Sequence, residues 1–177
     1  MELRLKRGLV WLSRIHRCRG FGIQSPTDYA FVRYVVNEHW HYYAYDELHE
    51  DDWLREKLGH LYLRLANWRQ PSVILSDDYQ QWFHAGCHKS DILHLTSYIS
   101  HQIKLARITI DQWDDFQSLI PHCDQQSVLV VEHIWSDPQQ WKKITQDPRT
   151  GTTFDLYYCG IVLFDTKRYK HNYIINF

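Results

Sequence analysis

In QPSVILSDDYQQWFHAG (residues 70–86) a short apolar run breaks into Ser76, Asp77 and Asp78 before a helical pattern resumes. A turn where a strand passes into a helix is where open α/β sheets bind ligands, outside the carboxyl end of the strand. Two carboxylates and a hydroxyl are therefore candidate ligand contacts. The turn holds no glycine, however, and lacks the backbone cradle a phosphate needs. A few residues on, HAGCH sets His84 and His88 at i and i+4 beside Cys87, a spacing that can ligate zinc from one helix face. No Glu stands between them to act as a base, and Gly86 marks the end of the helical pattern. HWH (39–41) would add a third ligand only if folding brought it near. Twelve histidines scattered through the chain generate such pairs by chance, and no metal site is assigned. There is no Gly-x-Ser-x-Gly elbow and no P-loop, and Gly20 and Gly22 do not follow a strand.

The elements that must position these residues fall into two stretches. Residues 1–66 read as helical. MELRLKRGLVWLSRIHRCRG spaces Leu5, Leu9, Leu12 and Ile15 as one helical face, surrounded by Arg4, Lys6, Arg7, Arg14, Arg17 and Arg19. A basic amphipathic helix can lie on a membrane surface or on nucleic acid. The simpler expectation is that it packs its apolar stripe, with Leu9, Trp11 or Leu12 buried, on the rest of the domain. Ser25 and Pro26 start a second helix as cap and first helical residue, with Tyr29, Val32, Val35 and Val36 inward. HYYAYDEL (41–48) is a loop or short turn, and residues 51–66 form a third helix carrying Leu54, Leu58, Leu61 and Leu65.

From residue 71 strands alternate with helices. Parallel strands are expected at about 72–77, 91–96, 106–111 and 127–133. YISHQIK (98–104) reads as a turn or short helix, WDDFQSLIPHC as a helix, and DPQQWKKITQDP as a Pro-initiated helix. TTFDLYYCGIVLF (152–164) and HNYIINF (171–177) read as two strands closing the sheet as a hairpin. The fold class is α/β, a mostly parallel doubly wound sheet in a single domain spanning 1–177, with residues 1–66 as a helical N-terminal cap.

Composition narrows the function classes. A net charge of −1 gives no general electrostatic reason to bind nucleic acid. No apolar run is long enough to span a membrane, and the first twenty residues are too charged for a signal-peptide core. Cys18, Cys87, Cys123 and Cys159 show no paired ligand spacing and read as reduced thiols of a cytoplasmic protein. Seven glycines in 177 residues are few.

GIQSPTDYAFVRYVV (22–36) followed by HYYAYDEL resembles the opening of a bacterial family of class I S-adenosylmethionine-dependent methyltransferase-like proteins. SVLVVEHIWSDPQQWKKITQDPRTGTTFDLYYCGIVLF (127–164) resembles that family's end, where a strand finishes in acidic residues before Ile-His-Trp-Ser. The resemblance implies a Rossmann-like methyltransferase sheet whose last two strands form an antiparallel hairpin. Family members carry a first strand ending Ile-Leu-Glu-Leu-Gly. Here Ile74 and Leu75 match, Ser76 stands for the acid and Asp78 for the first glycine, while Asp77 supplies an acid one place along, on the opposite face. A side chain at Asp78 would crowd the cofactor and its charge would repel the ligand carboxylate. The family's second strand ends in an acid that holds the ribose, whereas DILHLTS ends in Thr96 and Ser97. The chain is shorter than family members between residues 85 and 105, so the core (67–177) is a reduced one. Asp111 matches the acid near the methyl-transfer site, Glu132 the first acid of the family's Asp-Asp-Ile-His run, and His133 replaces the second.

Two functions follow as expectations. In the favoured one, the cofactor site (Ser76, Asp77, Asp78) is eroded, no cofactor binds, and the protein acts by binding an unknown protein or small-molecule partner. Trp40, Tyr42, Tyr43, Tyr45 and Trp53 would supply the recognition surface. In the alternative, an active methyltransferase of unknown substrate binds S-adenosylmethionine through Asp77, with Asp111, Glu132 and His133 as catalytic candidates.

Overall fold

The buried run Val73–Leu75 is the strand on which the sheet is organised, and β1 (Val73–Leu75) has a parallel neighbour on each side. In the computed structural model, which describes residues 2–95 and 102–177, β2 (Asp91–Leu93) lies on one side and β3 (Ile103–Thr109) on the other. The sheet continues through β4 (Cys123–Glu132), β6 (Cys159–Leu163), β5 (Thr153–Asp155) and β7 (Asn172–Ile174), giving the order β2-β1-β3-β4-β6-β5-β7. Strands β2, β1, β3 and β4 are mutually parallel, and β6 runs antiparallel to both β4 and β5. The fold is α/β with a seven-stranded mixed sheet.

Helices cover both faces. Alternate residues of β4 divide the core: Val128 and Val130 face α4 (Trp53–Arg69) and α5 (Gln80–Gly86), which bring Leu61, Tyr62 and Phe83. Leu129 and Val131 face α6 (Trp113–Leu119) and α7 (Pro138–Gln146), which bring Phe116, Trp141 and Ile144. Thus α4 is a layer of the sheet's own core. It runs three residues beyond the expected 51–66 because Arg69 still helps close its last turn and Gln70 ends it in the left-handed conformation. Ser25 caps α2 (Pro26–Phe31) by accepting the Asp28 N–H at 3.3 Å, and Asp137 caps α7 by accepting the Gln140 N–H at 2.9 Å. The second helix continues as a π-turn through Val32–Val36, and HYYAYDEL contains one helical turn, α3 (Ala44–Glu47).

Several expectations are corrected. Residues 152–164 are not one strand: the antiparallel hairpin is β5 and β6 within that segment, and 172–174 instead pairs parallel to β5 at the sheet edge. The turn escapes notice because it uses neither Gly nor Pro. The Asp155 carboxylate accepts the Tyr157 N–H at 2.8 Å, and Tyr157 takes a left-handed φ of 72°. Strand β3 begins at Ile103, inside the segment read as a turn or helix, and stops at Thr109, so Asp111 lies just past it. β1 and β2 are shorter than expected, and Thr96, Ser97 and residues 98–101 lie outside the described residues.

The N-terminal helix α1 (Glu2–Ser13) overturns a second expectation, because Leu9, Trp11 and Leu12 are exposed. It is held to the body by the opposite face. The Arg14 guanidinium donates to the Asp155 carboxylate at 2.8 Å, and that of Arg7 lies 4.3 Å from the Trp53 ring centroid. Polar and cation–π contacts, not a leucine seam, anchor this helix. No helix among the described residues is long and apolar enough to cross a membrane.

Candidate functional site: the carboxyl edge of the sheet

The chain leaves β1 toward β2 on one side and returns to β3 on the other, which makes the β1/β3 junction the topological switch point. The turn after β1 lies there, and its polar groups are engaged internally. The Ser76 hydroxyl, fully buried, donates to the Asp78 carbonyl at 2.6 Å and accepts the Asp78 N–H at 3.3 Å. Asp77 spans to the next strand, accepting the Leu95 N–H at 3.2 Å and lying 3.0 Å from His94 Nδ1. Asp78 receives both Nη groups of Arg55 at 2.8 and 3.0 Å. That fork, with the Tyr79 N–H as a further donor, holds the Asp78 carboxyl below its ordinary range.

Tyr79 sits where the backbone is left-handed, with φ 60°, a conformation that glycine adopts at no steric cost. The turn thus has a glycine-like backbone bearing a large side chain. Its ring is buried at 5% exposure, edge-on to Tyr62 with centroids 4.8 Å apart, beneath the Arg55 guanidinium at 4.6 Å. Arg55 also donates through Nε to Glu50 at 3.1 Å, and Glu50 accepts the Trp82 indole N–H at 3.0 Å. Sequence reasoning missed Glu50, Arg55 and Tyr79. One signal was available: a carboxylate at a packed strand–helix turn requires a cation, and α4 carries Arg55 in its first turn.

Below this layer lies a buried acid. Glu132, at the end of β4, receives Arg107 Nε and Nη2 at 2.8 Å each and the hydroxyl of Tyr62. Burial and the neighbouring carboxylate push the Tyr62 phenol well above its ordinary pKa, so it stays a neutral donor. Burial works against the Arg107 charge, but the paired hydrogen bonds to Glu132 outweigh it and hold its pKa above the usual value. These donors fill three of the roughly four acceptor positions of the Glu132 carboxylate. His133 follows in a left-handed conformation, with Nε2 4.0 Å from the Glu132 carboxylate and its N–H donated to the Tyr158 carbonyl at 2.8 Å. Asp111 is exposed beyond β3; the nearby Thr109 hydroxyl and its own backbone N–H keep its carboxyl low, with smaller help from His133 and Arg107. The structure therefore brings Asp111, Glu132 and His133 to one edge, with only Asp111 and His133 reaching solvent.

The same edge continues to the β5–β6 turn, where a cavity of about 240 Å³ lies under α1. Arg14, Trp53, Lys57, Tyr157, Tyr158 and Phe177 line it. The expected aromatic surface divides. Trp40 and Tyr43 are 77% and 90% exposed, and Tyr34, not anticipated, adds to them. Tyr42 and Tyr45 turn inward: Tyr42 donates to Glu38 at 2.7 Å, and Tyr45 stacks on His60 at 3.7 Å. Trp53 packs under Arg7. His84 and His88 lie ring to ring at 5.0 Å, and no group of three or more metal-ligating side chains occurs among the described residues. No family model, curated protein or solved structure significantly matches this chain.

Proposed function

We propose that this chain is a class I S-adenosylmethionine-dependent methyltransferase-like protein whose cofactor site is filled by its own side chains, and that it acts by binding a partner. The observation that carries this reading is the Asp78–Arg55–Tyr79 set at the switch point. A left-handed turn that glycine would leave open holds a buried ring, locked under a guanidinium that is itself fixed by two carboxylates. Rossmann-like kinship is supported by the switch between β1 and β3 and by the antiparallel β5–β6 pair that ends the parallel series. The exposed group of Tyr34, Trp40 and Tyr43 is the surface this reading assigns to an unknown protein or small-molecule partner. The four free cysteines fit a cytoplasmic setting.

A second reading, an active methyltransferase of unknown substrate, is favoured by one observation. Asp111 is exposed with its carboxyl held low, at the same carboxyl edge of the sheet as the cavity under α1. Thermal unfolding with and without S-adenosylmethionine separates the two. A ligand at one hundred times its Kd adds about 2.7 kcal/mol, which in a domain of this size raises Tm by roughly 5–10 °C. No rise at millimolar cofactor is expected. A rise of several degrees would overturn the filled-site reading and favour the enzyme.

A further inference from the structure

We propose that α1 is a peripheral membrane anchor that lays its leucine face on an anionic lipid surface. The face is free: Leu5, Leu9 and Leu12 are 67%, 59% and 57% exposed, and they line up at helical spacing. A soluble domain has no reason to align its leucines outward along a helix whose other face is tied down. That other face holds Arg7 over Trp53 and receives the Asn176 side-chain amide on the Trp11 carbonyl at 3.3 Å, while just beyond the helix Arg14 binds Asp155 and the Arg17 carbonyl accepts the Asn176 N–H at 3.0 Å. The helix is thus fixed in orientation, with its apolar face presented outward. Trp11 is half exposed at the border between the two faces, where an indole suits a membrane interface.

Charge distribution selects the occupant. Residues 1–27 contain six Lys or Arg and one acid, whereas residues 28–177 contain 14 Lys or Arg against 20 acids. Arg17 and Arg19 are exposed just beyond the helix, beside exposed Phe21. A second copy of the chain would bring one basic segment against another. An anionic bilayer attracts this segment, repels the acidic body, and accepts leucines at the headgroup–acyl boundary. The docking is therefore oriented.

Co-sedimentation of the full chain with phosphatidylcholine vesicles, with and without about one-third phosphatidylserine, tests this. Binding to the anionic vesicles alone is expected, and release by high salt. Leu9→Glu with Leu12→Glu should weaken it by about tenfold or more, and Arg17→Glu with Arg19→Glu by at least about fivefold per position. Both pairs are solvent-exposed, so Tm should match the parent and a loss of binding will not reflect unfolding. No sedimentation with anionic vesicles, or equal binding to neutral ones, overturns the proposal. So does a dimer, or an RNA complex, that the leucine substitutions abolish while vesicle binding stays absent.

Discussion

Replacing Glu132 by Ala removes the acceptor of three hydrogen bonds in a buried cluster. Its side chain is 3% exposed and that of its partner Arg107 11%, so solvent screens the pair little. The substitution leaves the Arg107 guanidinium buried without a counter-charge, a change that costs about 3–5 kcal/mol. The Tyr62 hydroxyl also loses its acceptor, but the two losses share one site and do not add in full. Against a total stability of about 5–15 kcal/mol, a loss of about 3–5 kcal/mol is a large share of the whole. Urea unfolding followed by circular dichroism measures this. With a slope of about 2 kcal/mol/M, the midpoint should fall by roughly 2 M. Arg107→Met alone strands the acid in the same way, whereas Arg107→Met with Glu132→Leu replaces the pair by apolar packing and should recover much of the loss. A Glu132→Ala cost below about 1 kcal/mol, or a double variant no more stable than the worse single, would refute the view of the cluster as one closed, desolvated unit.

Other outcomes follow from the same contacts. His60 Nε2 is buried with no partner among the described residues, and burial holds the imidazole below its ordinary 6.5. The unfolded chain therefore binds the proton first, so stability present above pH 6.5 is lost as pH falls below it; His60→Phe should flatten the Tm profile below about pH 6.5. At Gly86 an added Cβ would meet the Leu63 carbonyl oxygen and come within 2.8 Å of Ala66 Cβ. Gly86→Ala should therefore force α5 from α4 and cost about 1–3 kcal/mol in the same urea assay. Trp40→Ala and Tyr43→Ala should change stability by less than about 0.5 kcal/mol, whereas Tyr45→Ala, which removes the stack on His60, should cost about 2 kcal/mol or more; equal effects would show that the exposed patch is structural.

The sequence made some elements plain because their signals are local. SVLVVE is a short run rich in β-branched residues, which suits a strand buried on both faces, and Ser25-Pro26 and Asp137-Pro138 carry their helix starts in two residues each. The β5–β6 turn stayed hidden because an aspartate side chain and a left-handed tyrosine replace the usual glycine. The periodicity of α1 reveals an apolar face but carries no information on what that face meets; Arg7 and Arg14 decide its orientation through partners 46 and 141 positions away. The place of the candidate site, at Ser76 to Asp78, was legible from strand–turn–helix order alone. Its closure was not, since Arg55 reaches Asp78 across 23 positions and Arg107 lies in a mostly buried strand, with nothing local to announce Glu132 opposite.

The filled site is tested most directly by isothermal titration of S-adenosylhomocysteine into the parent chain and into a variant carrying Asp78→Gly and Tyr79→Gly. The two substitutions free both Nη groups of Arg55, leaving it on Glu50 alone, and leave the left-handed backbone at position 79 without its ring. A filled site gives no measurable heat of binding in the parent, and an affinity at least about tenfold higher in the variant. A micromolar dissociation constant in the parent, weakened by the substitutions, would contradict it.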